Sequence, residues 1–214
     1  MNNNLKKYGQ YKFDIFSKLN FNFKKGSKIL DIGCGDGIDS KIFSDEFGLE
    51  VDSIDIYKHP DIDKIAGVRF QTGSIFNLPF PEGSFDYVFL HDVLHHVDEE
   101  YQSFTRHIEA LAEVRRVCKG DGEIIIVEGN RYNPLFYPHM VKYLGHEHWV
   151  QSYFFKVVKN ILPNAKFTFF EAHSYPWGWN SFWKIYEFIM EKFMPNKIIA
   201  YNIAIAKKHH AKIN

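Results

Sequence analysis

The sequence predicts an α/β protein with a doubly wound, mostly parallel sheet of seven strands. Short β-rich runs alternate with helix-like stretches from residue 28 onward, the pattern of a parallel sheet with crossover helices. The first predicted strand runs directly into a glycine-rich turn and then a helix. Near the C-terminus an aromatic helical insertion interrupts the alternation. At 214 residues, the chain is expected to form a single domain, residues 1–214.

The elements follow from local patterns in chain order. Runs of β-branched and aromatic residues predict strands over residues 28–32, 50–56, 68–72, 85–90, 123–127, 166–170 and 198–206. Apolar spacing near 3.6 predicts helices over residues 8–19, 38–47, 101–118, 150–162 and 180–193. The Lys-Gly-Asp-Gly sequence at 119–122 is expected to be the turn that ends the third helix. The last helix is the aromatic insertion, and most of its apolar face is expected to pack on the sheet.

Composition excludes several classes of protein. Apolar residues make up 45% and charged residues 24%, so disordered and collagen-like chains are excluded. No run of eighteen apolar residues indicates a membrane-spanning helix, and the first residues lack the apolar core of a secretory signal. Two cysteines, Cys34 and Cys118, form no CxxC pair, which predicts neither a disulfide framework nor a zinc knuckle. We therefore expect a cytoplasmic location.

Charge and aromatic content divide the chain into two parts. Residues 1–130 carry 15 basic and 22 acidic side chains, whereas residues 131–214 carry 11 and 4. Residues 131–193 hold 19 of the 37 aromatic residues. This asymmetry predicts a cofactor-binding part, residues 1–130, and a substrate-selecting part, residues 131–214.

The glycine-rich turn predicts a ligand site at the carboxyl ends of the strands. Gly33, Gly35 and Gly37 allow a ligand to approach bare backbone, and the following helix presents free N–H groups. A carboxylate two positions before the first glycine, Asp31, would repel a pyrophosphate but attract an ammonium group. Asp55 ends the second strand, where it can accept hydrogen bonds from ribose hydroxyls. The pattern indicates a nucleoside with a cationic, amino-acid-like tail.

These residues resemble the class I methyltransferases that use S-adenosylmethionine. The resemblance covers residues 26–130, through Leu-Asp-Ile-Gly-Cys-Gly-Asp-Gly at 30–37, the ribose-binding Asp55, and the segments 73–80, 84–97 and 111–122. It implies a Rossmann-like methyltransferase fold and S-adenosyl-L-methionine as cofactor. It assigns cofactor binding to Asp31, Gly33, Cys34, Gly35, Gly37, Asp55, Ile56, Ser74, Ile75 and His91. The family usually has Asp at position 74, so Ser74 weakens the expected hydrogen bond to the adenine amine.

The resemblance implies methyl transfer by an SN2 attack, in which alignment is the main contribution of the protein. A general base is optional, and His91 and His139 are the catalytic candidates. His91 follows the fourth strand and is expected to face the donor or substrate. His95 and His96 are expected to pack or cap. His146 and His148 form an H-x-H pair without a third ligand, so no metal site is predicted.

The expected acceptor is a small molecule or one linked to a lipid or glycan. The basic residues 131–214 suggest that it has an anionic part. A peripheral membrane contact is left open. Nucleic acid is disfavoured because the family's Asn/Asp-Pro-Pro-aromatic motif is replaced by His91-Asp-Val-Leu94. The alternative from another class is a catalytically silent scaffold that binds S-adenosylmethionine. A nicotinamide oxidoreductase is disfavoured by Asp31 and by Ile38, which stands where the dinucleotide fingerprint has its third glycine. The oligomeric state is left open.

Overall fold

A seven-stranded sheet organises the chain. The computed structural model describes residues 3–143, 145, 148–173 and 180–208. The strands are β1 (Lys28–Ile32), β2 (Glu50–Asp55), β3 (Val68–Thr72), β4 (Phe85–His91), β5 (Cys118–Gly129), β6 (Lys166–Phe170) and β7 (Tyr201–Lys207). Their spatial order is β3-β2-β1-β4-β5-β7-β6. Among the described strands, β7 alone runs in the opposite direction, pairing antiparallel with β5 and with β6. The predicted doubly wound, mostly parallel sheet is confirmed, and strands from both parts of the chain belong to it.

Helices cover both faces of the sheet. They are α1 (Gln10–Leu19), α2 (Ile38–Asp45), α3 (Phe104–Val117), α4 (Gln151–Ile161) and α5 (Asn180–Phe193). One apolar core lies between the sheet and α3 with α4, and another lies between the sheet and α1 with α2. The run from Ile124 to Val127 in β5 is fully buried on both faces, as expected of a central parallel strand.

The structure differs from the sequence prediction at the start of β5. Residues 119–122 were expected to be a turn, but the strand begins directly at Cys118. The pairing register with β4 shifts between Phe85 and Tyr87, which absorbs the extra residues as an irregularity of the strand. A residue larger than glycine would not fit at position 122, because its Cβ would lie 2.8 Å from the Asp86 carbonyl oxygen.

The aromatic insertion α5 also differs from its prediction. It lies between β6 and β7 in the chain, but much of its apolar face points to solvent rather than onto the sheet. Phe182, Phe188 and Phe193 are 53%, 60% and 68% exposed, whereas Met190 is buried. Amphipathic spacing was visible in the sequence, but which face meets the protein depends on the packing of α1 against α5.

No helix among the described residues is both long enough and apolar enough to cross a lipid bilayer.

Candidate functional site

A cavity of about 460 Å³ opens at the carboxyl ends of the parallel strands. Its wall includes Ile32 and Gly33 at the end of β1, Asp55 at the end of β2, and Asp92 and Val93 after β4. This position is the switch point of the sheet, where β1 has β2 on one side and β4 on the other. The volume is typical of a small-molecule site.

The glycine turn after β1 supplies bare backbone beside this cavity. A Cβ at Gly33 would lie 2.4 Å from Val93 Cγ2, and one at Gly37 would lie 2.4 Å from Ile62 Cδ1. Both residues also have positive φ, +70° and +79°, so glycine is strongly favoured at each position. Gly35 shares the positive φ, at +52°, but has nothing within 4 Å of the position of a Cβ. The open space over Gly35 is what a ligand lying on the turn requires.

Asp55 and the segment after β3 form the opposite side of the site. The Gly35 amide donates to Asp55 Oδ2 at 2.9 Å, and the Tyr57 amide donates to Oδ1 at 3.1 Å. Ile56, which is 62% exposed, lines the cavity together with Ser74 and Ile75. The Asp55 carboxylate can accept hydrogen bonds from a ribose, and the apolar side chains beside it can cover an aromatic base.

His91 lies in a buried hydrogen-bonded chain rather than on the cavity wall. Its Nδ1 contacts Asp39 Oδ2 at 2.7 Å and its Nε2 contacts the Tyr11 hydroxyl at 2.9 Å. The Tyr11 hydroxyl lies 2.6 Å from that of Tyr201, which donates to Asp92 Oδ2 at 3.1 Å. The four hydrogen bonds run in the order Asp39, His91, Tyr11, Tyr201, Asp92. Because each tyrosine hydroxyl can donate only one proton, all four form together only when both ring nitrogens of His91 donate.

This arrangement differs from the expectation that His91 faces the methyl donor. The His91 side chain is 6% exposed, and Tyr11 from α1 covers it. In this geometry His91 positions Tyr11. Of the hydrogen-bonded residues, Asp92 is the one that lines the cavity. Sequence reasoning missed Tyr11, because nothing in the pattern of α1 indicates which strand end it covers.

Comparisons with known proteins agree with this geometry. Residues 30–126 match the family described as "Methyltransferase domain". A solved S-adenosylmethionine-dependent methyltransferase from Archaeoglobus fulgidus superposes with a TM-score of 0.67 over 95% of this chain and 97% of that one, at 19% identity. The chain has the fold of S-adenosylmethionine-dependent methyltransferases, and residues 30–126 match a methyltransferase domain.

Two curated relatives show how far the sequence similarity reaches along this chain. An uncharacterized methyltransferase of Schizosaccharomyces pombe is 31% identical over 130 residues, which cover 54% of this chain and 44% of that protein. Phosphoethanolamine N-methyltransferase 2 of Caenorhabditis elegans is 32% identical over 114 residues, 47% of this chain and 26% of that protein. The matched stretch thus spans less than half the length of either relative.

The cavity fits the cofactor of the methyltransferase family. Asp55 and the apolar Ile56 and Ile75 line the cavity and suit a nucleoside, and the open backbone of Gly35 lies next to Asp55. Asp55, Asp92, Asp98 and Glu99 line the cavity, and none of its described lining residues is Lys or Arg. A dinucleotide pyrophosphate would meet this acidic wall, whereas a sulfonium cation would be attracted by it.

Asp31 in β1 and Cys34 in the glycine turn are both buried. Asp31 is 2% exposed, its Oδ2 accepts a hydrogen bond from Ser40 Oγ at 2.5 Å, and it is absent from the cavity wall. Burial and the nearby Asp39 raise the pKa of Asp31 to about 7. Burial and Asp31 raise the pKa of the Cys34 thiol above its usual range, so Cys34 is a packed residue rather than a nucleophile. The ammonium-binding role of Asp31 stays a prediction.

Asp31→Asn is expected to stabilise the ligand-free protein more at pH 8 than at pH 5. A carboxyl whose folded pKa is near 7 takes up its proton more readily in the folded state than in the unfolded chain, where the value is 3.8. The folded state therefore loses stability relative to the unfolded chain as the pH rises from about 4 to 7, and the asparagine variant does not show this loss. Thermal unfolding at the two pH values measures it. Equal gains at both would contradict the buried, proton-binding carboxyl.

The same variant tests the predicted contact with the cofactor. If the Asp31 carboxylate attracts the ammonium group, Asp31→Asn lowers the affinity for S-adenosylmethionine while raising the thermal stability. Calorimetric titration separates the two effects.

The other catalytic candidate, His139, lies in the short helix Tyr137–Tyr143. Its side chain is outside what the structure describes, and its role stays a prediction. His96, expected to pack or cap, instead lines the cavity and contacts Glu99.

Proposed function

We propose that this protein transfers a methyl group from S-adenosylmethionine to an acceptor that has an apolar part and is presented at a membrane surface. The cavity at the switch point carries the proposal, because it joins a nucleoside-binding end at Asp55 to an acidic end at Asp92. The cofactor, when bound, supplies an activated methyl group. The chain's own residues then orient the two reactants and exclude water, which is worth roughly 7–11 kcal/mol in well-aligned reactions.

The charge at the acidic end of the cavity indicates which kind of acceptor group it favours. The nearby His91, His95 and His148 hold the pKa of Asp92 below its usual range, against the opposite effect of burial. Asp98 lies on the same wall. A charged carboxylate there favours a neutral or cationic acceptor group, such as a hydroxyl or an amine, over an anion. The anionic part expected from the charge of residues 131–214 would therefore bind elsewhere.

The exposed face of α5 supports a membrane-bound or lipid-linked acceptor. Five large apolar side chains share this face and are 41–68% exposed: Phe182, Ile185, Phe188, Ile189 and Phe193. The exposed Lys184, Lys192 and Lys197 flank them. An apolar stripe bordered by lysines is typical of a helix that lies in the surface of an anionic membrane.

The inner face of α5 is fixed to the body of the protein. Lys18 of α1 donates to Glu187 Oε2 and to Glu191 Oε1, both at 2.8 Å. These ion pairs orient the helix so that the apolar stripe points outward.

Aromatic contacts connect α5 to the acidic end of the cavity. The ring of Tyr186 lies 6.1 Å from that of His173, which lies 5.1 Å from Phe136. Phe136 in turn contacts His148 and Tyr201. An acceptor whose apolar part remains in the lipid would approach along this side. The acceptor named for the Caenorhabditis elegans relative, phosphoethanolamine, has no apolar part, but its amine is the kind of acceptor group that the acidic end favours.

The membrane contact makes a direct prediction. The double substitution Ile185→Ser, Phe188→Ser is expected to lower binding to phosphatidylcholine vesicles containing phosphatidylserine at least tenfold, because burying one such side chain contributes about 1.5–3 kcal/mol. Vesicle co-sedimentation measures the binding. Wild-type binding is expected to fall as salt rises, since the lysines act through the surface charge.

Tyr101→Ser is the matched control for that variant. Tyr101 is 72% exposed but lies outside α5 and the cavity wall, so its loss should leave vesicle binding unchanged. If the double variant and the control bind vesicles alike, α5 is not the membrane contact.

Methyl transfer itself is tested with S-adenosylmethionine labelled in its methyl group. Incubation of the protein with a total lipid extract is expected to give a labelled, solvent-extractable product. A protein that binds S-adenosylhomocysteine but labels neither lipid nor water-soluble extracts would be the silent scaffold instead.

A further inference from the structure

Four potential metal ligands converge beside the cavity, at the ends of β4 and β5. Asp92, His95, Glu128 and His148 each place one nitrogen or oxygen atom so that these atoms all lie within 4.8 Å of one another. Opposite ligands of a bound ion with bonds of about 2.0–2.2 Å lie roughly 4 Å apart. Small rotations of these side chains would therefore bring them to coordination distance.

Burial distinguishes this cluster from surface acidic groups. The His95 side chain is 2% exposed and the Glu128 side chain is fully buried, and the two side chains contact each other through His95 Nδ1. His148 is also buried. The buried Glu128 carboxylate is costly without compensating positive charge, and Asp92, whose side chain is 29% exposed, adds a second carboxylate beside it. A divalent cation would neutralise both.

The backbone is shaped around the cluster. Asp92 has φ +54°, an uncommon conformation for a residue other than glycine, and its Oδ1 accepts a hydrogen bond from the Gly129 amide at 2.8 Å. A Cβ at Gly129 would lie 2.8 Å from His148 Nδ1. Glycine at the end of β5 thus lets the His148 ring approach the other three side chains.

We infer that Asp92, His95, Glu128 and His148 bind a divalent transition-metal ion. Two imidazoles with two carboxylates are a ligand set that suits Zn²⁺, Co²⁺ or Fe²⁺, whereas Mg²⁺ and Ca²⁺ prefer oxygen ligands alone. Asp92 also lines the cofactor cavity, so the ion would lie at its acceptor end, where Asp98 and Glu99 would keep the wall acidic. Sequence reasoning predicted no metal here, because it considered His148 with His146 and not with residues from β4 and β5.

The competing explanation is that protons alone balance the charge. Glu128 and Asp92 raise the pKa of His95 even though burial opposes this, so the His95 imidazolium could pair with Glu128 without any metal. Metal binding by the wild-type protein distinguishes the two explanations.

The test uses full-length protein without an affinity tag, stripped with a chelator and titrated with Co²⁺ and Zn²⁺. We expect one equivalent per chain, a visible Co²⁺ absorption spectrum typical of nitrogen and oxygen ligands, and a higher thermal midpoint with Zn²⁺. His148→Asn and Glu128→Gln are each expected to weaken Zn²⁺ binding at least about a hundredfold.

His107→Asn is the matched control. His107 is fully buried and hydrogen-bonded to Tyr153 and to the Val97 carbonyl, outside the cluster. Its replacement should cost stability but leave metal binding intact. If wild-type protein shows neither a Co²⁺ spectrum nor a Zn²⁺-dependent thermal shift, the metal site is overturned. The same holds if both cluster variants fold and bind Zn²⁺ as wild type does.

S-adenosylhomocysteine binding by metal-free wild type, measured separately, reports on the proposed function. If the protein binds no S-adenosylhomocysteine with or without Zn²⁺, the result counts against methyl transfer and not against the metal site.

Discussion

Gly35→Val is expected to abolish S-adenosylhomocysteine binding, with an affinity loss of at least about a hundredfold. The structure leaves open space where the new side chain would stand, so the protein itself accommodates it apart from the strain of φ +52°. We expect the cofactor to lie on bare backbone in the same space. Isothermal titration calorimetry measures the loss, and circular dichroism shows whether the fold persists.

Gly26→Val is the matched control for Gly35→Val. Gly26 has φ +80° and nothing within 4 Å of a Cβ, but it lies before β1 and away from the cavity. Valine there carries similar backbone strain without meeting a ligand, so cofactor affinity should be unchanged. Retained binding by Gly35→Val would mean that the cofactor lies elsewhere.

Asp55→Ala is expected to lower affinity for S-adenosylmethionine at least tenfold. The substitution removes charge-assisted hydrogen bonds to the ribose, each worth about 1.5–3 kcal/mol. It also removes the acceptor of the Gly35 amide, which donates to Asp55 Oδ2 at 2.9 Å, so the glycine turn loses a hydrogen bond that holds it next to the cavity. Calorimetry with S-adenosylmethionine and S-adenosylhomocysteine gives the magnitude.

Asp52→Ala controls for the loss of an acidic side chain from the same strand. Asp52 of β2 pairs with Arg69 and is not part of the cavity wall. We expect its substitution to leave cofactor affinity unchanged. Equal affinity of wild type and Asp55→Ala would contradict the ribose-binding role of Asp55.

The cofactor half of the site could be predicted from sequence because its signals are local. Three glycines within five residues, an acid ending the next strand, and the segment around Ser74 each lie at the end of a strand whose burial is visible in its composition. In a parallel sheet these ends meet at one edge, so the chain order alone brings Gly33, Asp55 and Ile75 to one cavity.

Residues joined across long separations could not be predicted in this way. Tyr11 meets His91 and Tyr201, which are 80 and 190 positions away, and this contact turns His91 from the cavity. The metal-ligating cluster draws on the ends of two strands and a distant segment. Spacing along the chain carries no information about such contacts, because they depend on how the helices pack over the sheet.

The sequence by itself determined the sheet, the glycine turn and the residues that suit a nucleoside, since each depends on alternation, turn chemistry or spacing within about twenty residues. Tertiary structure alone decided which face of α5 is exposed, where His91 points, and which histidines and carboxylates share a buried space. Those outcomes depend on packing and on the cost of burying charge, which only the complete arrangement of side chains fixes.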